Sequence, residues 1–343
     1  MSRGRTLTGA LLATLAMPST WPLALGAFLI RGGIVLVALP IVVLPTPVGV
    51  GNVVAPGLTS IAFGSVPVEL IVVAAATGIG VMVWLVGGGW VAAALEAEAA
   101  WIVATADEIA GMDAPAGTVV EGAADRPTTV ALPQDGGHVA GRILAARLIA
   151  YLPLAIVLAA GSVRLVFVTY RELTVPIEVA TPIALRVLRA APEVVLAVVL
   201  AWMVGEIIGA MAARRIALGG AGVGVALRDA VAMSVRRPLA SIVRFWLPTL
   251  VLVLVLAPAA LAAAKAWETV GSVLGGGSDA LEILVTVVMF VGLWIVGLLL
   301  LSVVCAWRAA VWTVAEVTRE GTFGGSSHRR PGHWQHDPSS ASL

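Results

Sequence analysis

Three ionisable residues sit where apolar sequence ought to exclude them. Glu206 interrupts the stretch Val194 to Ala213, Arg31 the stretch Pro22 to Leu44, and Arg164 the stretch Leu148 to Tyr170. A charged side chain in a hydrocarbon-spanning helix is costly and is by default a functional candidate. Glu206 lies near the centre of its stretch, with Arg31 and Arg164 as the available counter-charges. A Glu–Arg pair there would act as a structural clasp, a proton relay or part of a polar conduit. The alternative for the two arginines is to snorkel to the nearer interface. Arg31 is the expected partner of Glu206, because Arg164 lies nearer the outer end of its stretch. Arg189 and Glu193, one helical turn apart, are expected to form a local pair.

Other chemistry has little support. There is no H-E-x-x-H, G-x-S-x-G or P-loop sequence. Cys305 is the only cysteine, which excludes internal disulfides and cysteine metal sites. Three of the four histidines, His328, His333 and His336, fall in the carboxy-terminal tail beside Arg329 and Arg330, a poor setting for a cation. No catalytic residue, metal site or cofactor is expected, and the net charge of +1 gives no basic field for nucleic acid.

The elements that must position these residues are apolar helices. Of 343 residues, 59% are hydrophobic and 12% charged, against about 25% charge in soluble domains. Mean hydropathy is +1.01. A spanning helix needs about 20 apolar residues, and six stretches qualify, at about 22–44, 70–95, 148–170, 192–213, 245–264 and 283–307. With the amino terminus inside, the inner segments hold 15 basic residues and the outer segments 4, as the positive-inside bias requires. The expectation is an all-α, multi-pass transmembrane bundle over residues 1–320 in the cell membrane of a prokaryote, with both termini cytoplasmic.

Amphipathic segments precede the odd-numbered spans. Leu7, Leu11, Leu12 and Leu15 would share one helical face, and the segment Leu7 to Met17, preceded by Arg3 and Arg5, is read as an interfacial helix rather than as a cleaved leader. Ala16 to Ala24 and Ala232 to Ala240 both read A-M-x4-P-L-A, and Val139 to Arg147 has the same character. The chain therefore reads as a threefold repeat, each unit an interfacial helix followed by a helical hairpin. Small residues at fourth-residue spacing, Gly80 and Gly88 in span two and Gly205 and Gly209 in span four, would let helices approach closely. The loop 96–137 carries eight acids against one base, Arg126. Residues 111–137 read as a flexible acidic cytoplasmic linker, solvated or docking a basic partner, and residues 321–343 as a disordered cytoplasmic tail. Pro45 to Pro67 reads as an irregular outer loop or a re-entrant segment packed among helices, and Arg171 to Ala191 as a similar irregular loop.

The span count, the interfacial helix and the Arg236-Arg237-Pro238-Leu239 entry to span five give the chain a resemblance to six-span prokaryotic membrane families. These include the membrane domain attached to some glycerophosphodiester phosphodiesterases. The resemblance implies a fold and no active residues. The expected function is that of a non-enzymatic helper, scaffold or permease-like subunit that contacts membrane lipids and, through residues 96–137, other subunits. The alternatives are a secondary transporter of a small solute or lipid using Glu206 near the midplane, and an intramembrane lipid-modifying enzyme.

Overall fold

A computed structural model describes residues 3–42, 64, 66–112, 136–174, 181–275 and 279–323. Among these residues all regular structure is helical. The chain runs through α1 (Arg3–Ala16), α2 (Thr20–Phe28), α3 (Ile34–Ala38), α4 (Val68–Val83), α5 (Gly89–Met112), α6 (Gly136–Ala150), α7 (Leu152–Thr174), α8 (Ile183–Ala190), α9 (Pro192–Gly219), α10 (Val223–Arg236), α11 (Pro238–Gly275) and α12 (Ala280–Phe323). Six helices are long and apolar enough to cross a membrane: Thr20–Ala38, Ile71–Thr105, Leu152–Thr174, Pro192–Gly219, Pro238–Gly275 and Ala280–Thr318.

Local sequence sets several of the boundaries. Pro192 opens α9, where its missing N–H costs nothing. Gly220 closes α9 in the left-handed conformation at φ 63°, which glycine adopts without Cβ strain, and Ala221 N donates to the Arg215 carbonyl at 3.2 Å. Pro248 and Pro258 stay inside α11, as prolines do in apolar helices whose neighbours re-satisfy the freed backbone groups.

Two wide, π-helical turns interrupt the first two long helices: Leu29–Gly33 joins α2 to α3, and Trp84–Gly88 joins α4 to α5. Gly32 has φ 104°, a conformation that marks a true kink. The two turns touch, since a Cβ on Gly88 would lie 3.1 Å from Ile30 Cγ2.

Burial divides the long helices along their axes. Large apolar side chains are mostly exposed from Val68 to Val91 in the second long helix, from Leu152 to Tyr170 in α7, from Leu196 to Val204 in α9 and from Leu281 to Leu300 in α12, with Val168 and Phe290 buried. Beyond those limits three of these helices are buried: Ala92 to Val103, Ile207 to Ala217 and Leu301 to Val314. The short helices pack at that buried end. α1 lies on α12, α6 on α5 and on α9, and α10 on α9. The core there is dominated by alanine, with Ala93, Ala140, Ala146, Ala212, Ala226 and Ala230 fully enclosed, so helices meet at close range.

Several details differ from the sequence reading. In α1, Ala10 and Thr14 face the core and Leu7 joins them, while Leu11, Leu12 and Leu15 stay exposed. The small side chains permit the close approach, and the three leucines are left on the outer face. The second half of the Arg171 to Ala191 segment is helical as α8, with buried Arg186 donating to Glu172 at 2.8 Å through Nε. Of the remaining irregular segments, residues 43–63, 113–135 and 324–343 lie outside the described residues.

Candidate functional site

At the junction between the exposed and buried halves of the helices, six charged side chains converge. Glu96 on α5 accepts hydrogen bonds from three guanidinium groups. Arg147 at the end of α6 approaches it as a fork, Nε at 2.9 Å and Nη2 at 2.5 Å. Arg214 on α9 and Arg31 from the first π-helical turn each donate a further bond. Glu206 on α9, two residues past the last exposed valine of that helix, Val204, accepts from Arg308 on α12 at 3.0 Å and from Arg147 at 3.4 Å. It also takes the hydroxyl hydrogen bond of Tyr151, which follows α6 directly. Arg147 thus links the two carboxylates.

The elements explain the convergence. The kink at Gly32 turns the chain at Arg31, whose side chain reaches Glu96 at the buried end and not the exposed apolar surface. Gly205 gives Tyr151 its place: a Cβ there would stand 2.7 Å from Tyr151 Cδ1 and 3.1 Å from the Ala150 carbonyl. Gly209 leaves room for Arg147, whose Nη1 lies 3.4 Å from where a Cβ would be. Arg214 is anchored further by the Ala309 carbonyl at 3.2 Å and Thr313 Oγ1 at 3.4 Å. Arg308 also lies over the Phe245 ring, 5.8 Å from its centroid, a cation–π contact. Burial alone would lower the pKa of Arg147, but the Glu96 and Glu206 carboxylates and the Tyr151 hydroxyl outweigh it and push the pKa up.

These side chains line a cavity of about 330 Å³, together with Trp202, Trp312, Cys305 and apolar residues of the first long helix that include Phe28 and Leu36. Glu96, Arg147 and Arg214 are almost fully buried, whereas Arg308 is 16% and Arg31 26% exposed. Among the described residues no buried side-chain nitrogen or oxygen lacks a partner. The N–H groups of Arg31 and Arg308 that touch no carboxylate therefore open onto accessible space. Four guanidinium cations face two carboxylates, and the lining holds no other acid, so two positive charges are left over.

The sequence candidates are redistributed. Glu206 and Arg31 share the chamber, but Arg31 bonds Glu96 and not Glu206. Arg164 is elsewhere: it is 57% exposed and donates to Glu193 at 3.0 Å. Glu193 thus has Arg164 as its partner where the spacing suggested Arg189, because α7 and α9 lie side by side. Gly205 and Gly209 face α6 and Tyr151, and Gly88 faces Ile30, but Gly80 has nothing within 4 Å of a built Cβ and makes no helix contact. The chamber lies where the exposed apolar surface of these helices gives way to their buried ends.

Glu96, Arg147, Tyr151, Arg214 and Arg308 are the residues that sequence reasoning missed. All but Tyr151 read in the sequence as charges flanking the spans. One signal was present: apolar sequence resumes after each of Glu96 and Arg308, through Val103 and through Val314, so the helix continues past the charge and buries it. A second cluster joins α9, α10 and α12, where Arg215 donates to Asp229 and, at 3.2 Å, to Glu316. No group of three His, Cys, Asp or Glu suited to a metal ion occurs among the described residues. No protein-family model matches this chain, and no curated protein or solved structure is significantly similar to it.

Proposed function

We propose that the chain is a non-enzymatic, permease-like protein of the cell membrane that holds a polar ligand in the Glu96–Glu206 chamber. The observation that carries this reading is the mismatch between the chamber's charge and its filling. A clasp built only for stability would pair its charges and close over them, because unpaired buried charge is destabilising. Here two guanidinium forks keep free N–H groups on an accessible cavity of about 330 Å³, within the usual range for small-ligand sites.

The exposed apolar zone corresponds to the hydrocarbon layer, and the chamber lies just beneath it, at the level of one set of headgroups. The 15-to-4 distribution of basic residues supports reading that as the cytoplasmic side, with both termini there. α1, α6 and α10 are then interfacial helices of three repeated units. Their packing supports the repeat: each lies on the second long helix of the preceding unit, α1 on α12, α6 on α5 and α10 on α9. The likeness to six-span prokaryotic membrane families belongs to the same proposal.

An intramembrane enzyme is the second reading, favoured by the convergence of ionisable groups at headgroup depth. Against it, each carboxylate is already held by two or more arginines, leaving no free general base.

Thiol accessibility tests the ligand-site reading. Cys305 is replaced by Ala, and Ala309, which lines the chamber, is replaced by Cys. A small methanethiosulfonate reagent should label Ala309→Cys in folded protein in detergent. Failure to label until the protein is unfolded would make the chamber a closed clasp and remove the proposal.

A further inference from the structure

We propose that the ligand of the chamber is a lipid bearing a phosphate monoester, with its phosphoryl group against Arg31 and Arg308 and its acyl chain along the apolar groove that begins at Leu36. This rests on the chamber being a ligand site, and it adds the chemical class. Charge comes first. The two uncompensated guanidinium charges repel cations and leave a neutral ligand with nothing to offset. A monoanion compensates one of them, whereas a phosphate monoester carries about −1.5 to −2 near neutral pH and matches both. Donor geometry points the same way. Arginine presents a planar fork suited to the oxygens of phosphate, and Arg31 and Arg308 each commit only one nitrogen to a carboxylate, Arg31 to Glu96 and Arg308 to Glu206. Glu96 and Glu206 hold these forks in place, each carboxylate being already shared by two or more guanidinium groups.

The surroundings add the lipid. At about 330 Å³ the chamber suits a headgroup and not two acyl chains. Leu36 lines the chamber and also lines a separate apolar groove made by Val37, Leu256, Ala260, Leu293 and Trp294. Leu36 is 46% exposed on the apolar surface of the bundle. One molecule with its charged head in the chamber and its hydrocarbon tail leaving past Leu36, over this shallow groove of about 40 Å³, would use both spaces, and a water-soluble phosphate would use only one. The π-helical turn that carries Arg31 lines the chamber, and such turns recur at functional sites.

The test is thermal stability of the purified full chain in detergent, with three probes at equal concentration: dioctanoyl phosphatidate, dioctanoyl phosphatidylcholine and inorganic phosphate. A ligand that binds only the folded state raises Tm. Phosphatidate should raise it by several degrees and the other two should not. Arg31→Gln and Arg308→Gln should each weaken the phosphatidate effect by roughly tenfold or more in concentration, the loss of a charge-assisted hydrogen bond. Ala260→Trp, which fills the groove, should weaken it as well. Equal shifts with phosphatidylcholine, or with inorganic phosphate, would overturn the proposal, as would a phosphatidate shift that survives both arginine substitutions. Should an arginine variant fail to fold, phosphorus NMR of phosphatidate titrated with the unaltered protein decides the matter. Broadening or displacement of the phosphomonoester resonance is the expected result, and an unchanged resonance excludes the lipid. If Ala309→Cys labels but phosphatidate has no effect, this inference fails and the ligand site stands. If Ala309→Cys does not label, both fail.

Discussion

Arg147 and Glu96, 51 positions apart in the chain, meet in a two-bond fork with distances of 2.9 and 2.5 Å. The third nitrogen of Arg147 turns to Glu206 at 3.4 Å. One guanidinium thereby ties α6 to both α5 and α9, while Glu96 is shared with Arg31 and Arg214. The two residues hold unequal positions in the network: Arg147 has two anions and Glu96 three cations.

That inequality sets the first expectation. Glu96→Gln leaves three guanidinium groups without their common anion and should destabilise the protein by about 3–5 kcal/mol. Arg147→Met removes bonds worth about 1.5–3 kcal/mol but also reduces the positive excess, so it should cost less. Tm in detergent measures both, and the reverse order would contradict the shared role of Glu96.

Double-mutant cycles test the partners of Glu206. Glu206→Gln with Arg308→Gln should show a coupling of about 0.5–3 kcal/mol, the range for residues in one ion-pair network. Glu206→Gln with Arg164→Gln should be additive, because Arg164 bonds Glu193. Coupling to Arg164 and none to Arg308 would mean that the helices sit in a different rotation.

Glycine substitutions read the packing directly. Gly205→Ala places a Cβ 2.7 Å from the Tyr151 ring and should cost about 1–3 kcal/mol through overpacking. Gly80→Ala meets nothing within 4 Å and should be neutral or stabilise the helix by up to about 1 kcal/mol. Equal effects in a thermal assay would count against the contact between α9 and Tyr151.

Gly32→Ala forces a Cβ onto a residue at φ 104°. The strain should be on the order of 1–2 kcal/mol. Relief by straightening the turn would draw Arg31 from Glu96, so coupling between Gly32→Ala and Glu96→Gln is expected. Its absence would mean that the kink does not position Arg31.

Topology follows from the distribution of basic residues. In a Cys305→Ala background, Gly271→Cys near the far end of α11 should react with an impermeant thiol reagent in intact cells. Gly224→Cys at the start of α10 should react only after the membrane is opened. Labelling in the opposite order would invert the protein.

The sequence by itself determined six apolar helices and the small residues at Gly205 and Gly209. Hydropathy over about 20 residues is a local quantity, and it decides which segments are long and apolar enough to cross a membrane. It also singled out Glu206 and Arg31, because each interrupts such a segment. What only the tertiary structure decided is which charges meet. Arg164 looked equivalent to Arg31 and pairs instead with exposed Glu193. Glu96, Arg147, Arg214 and Arg308 looked like solvated flanks and are enclosed, with partners up to 118 positions apart. Pairing depends on the axial offset and rotation of packed helices, and on the kink at Gly32, none of which composition or periodicity encodes. A charge just past the exposed apolar surface faces water on a lone helix and faces a chamber when three helices continue past that point together.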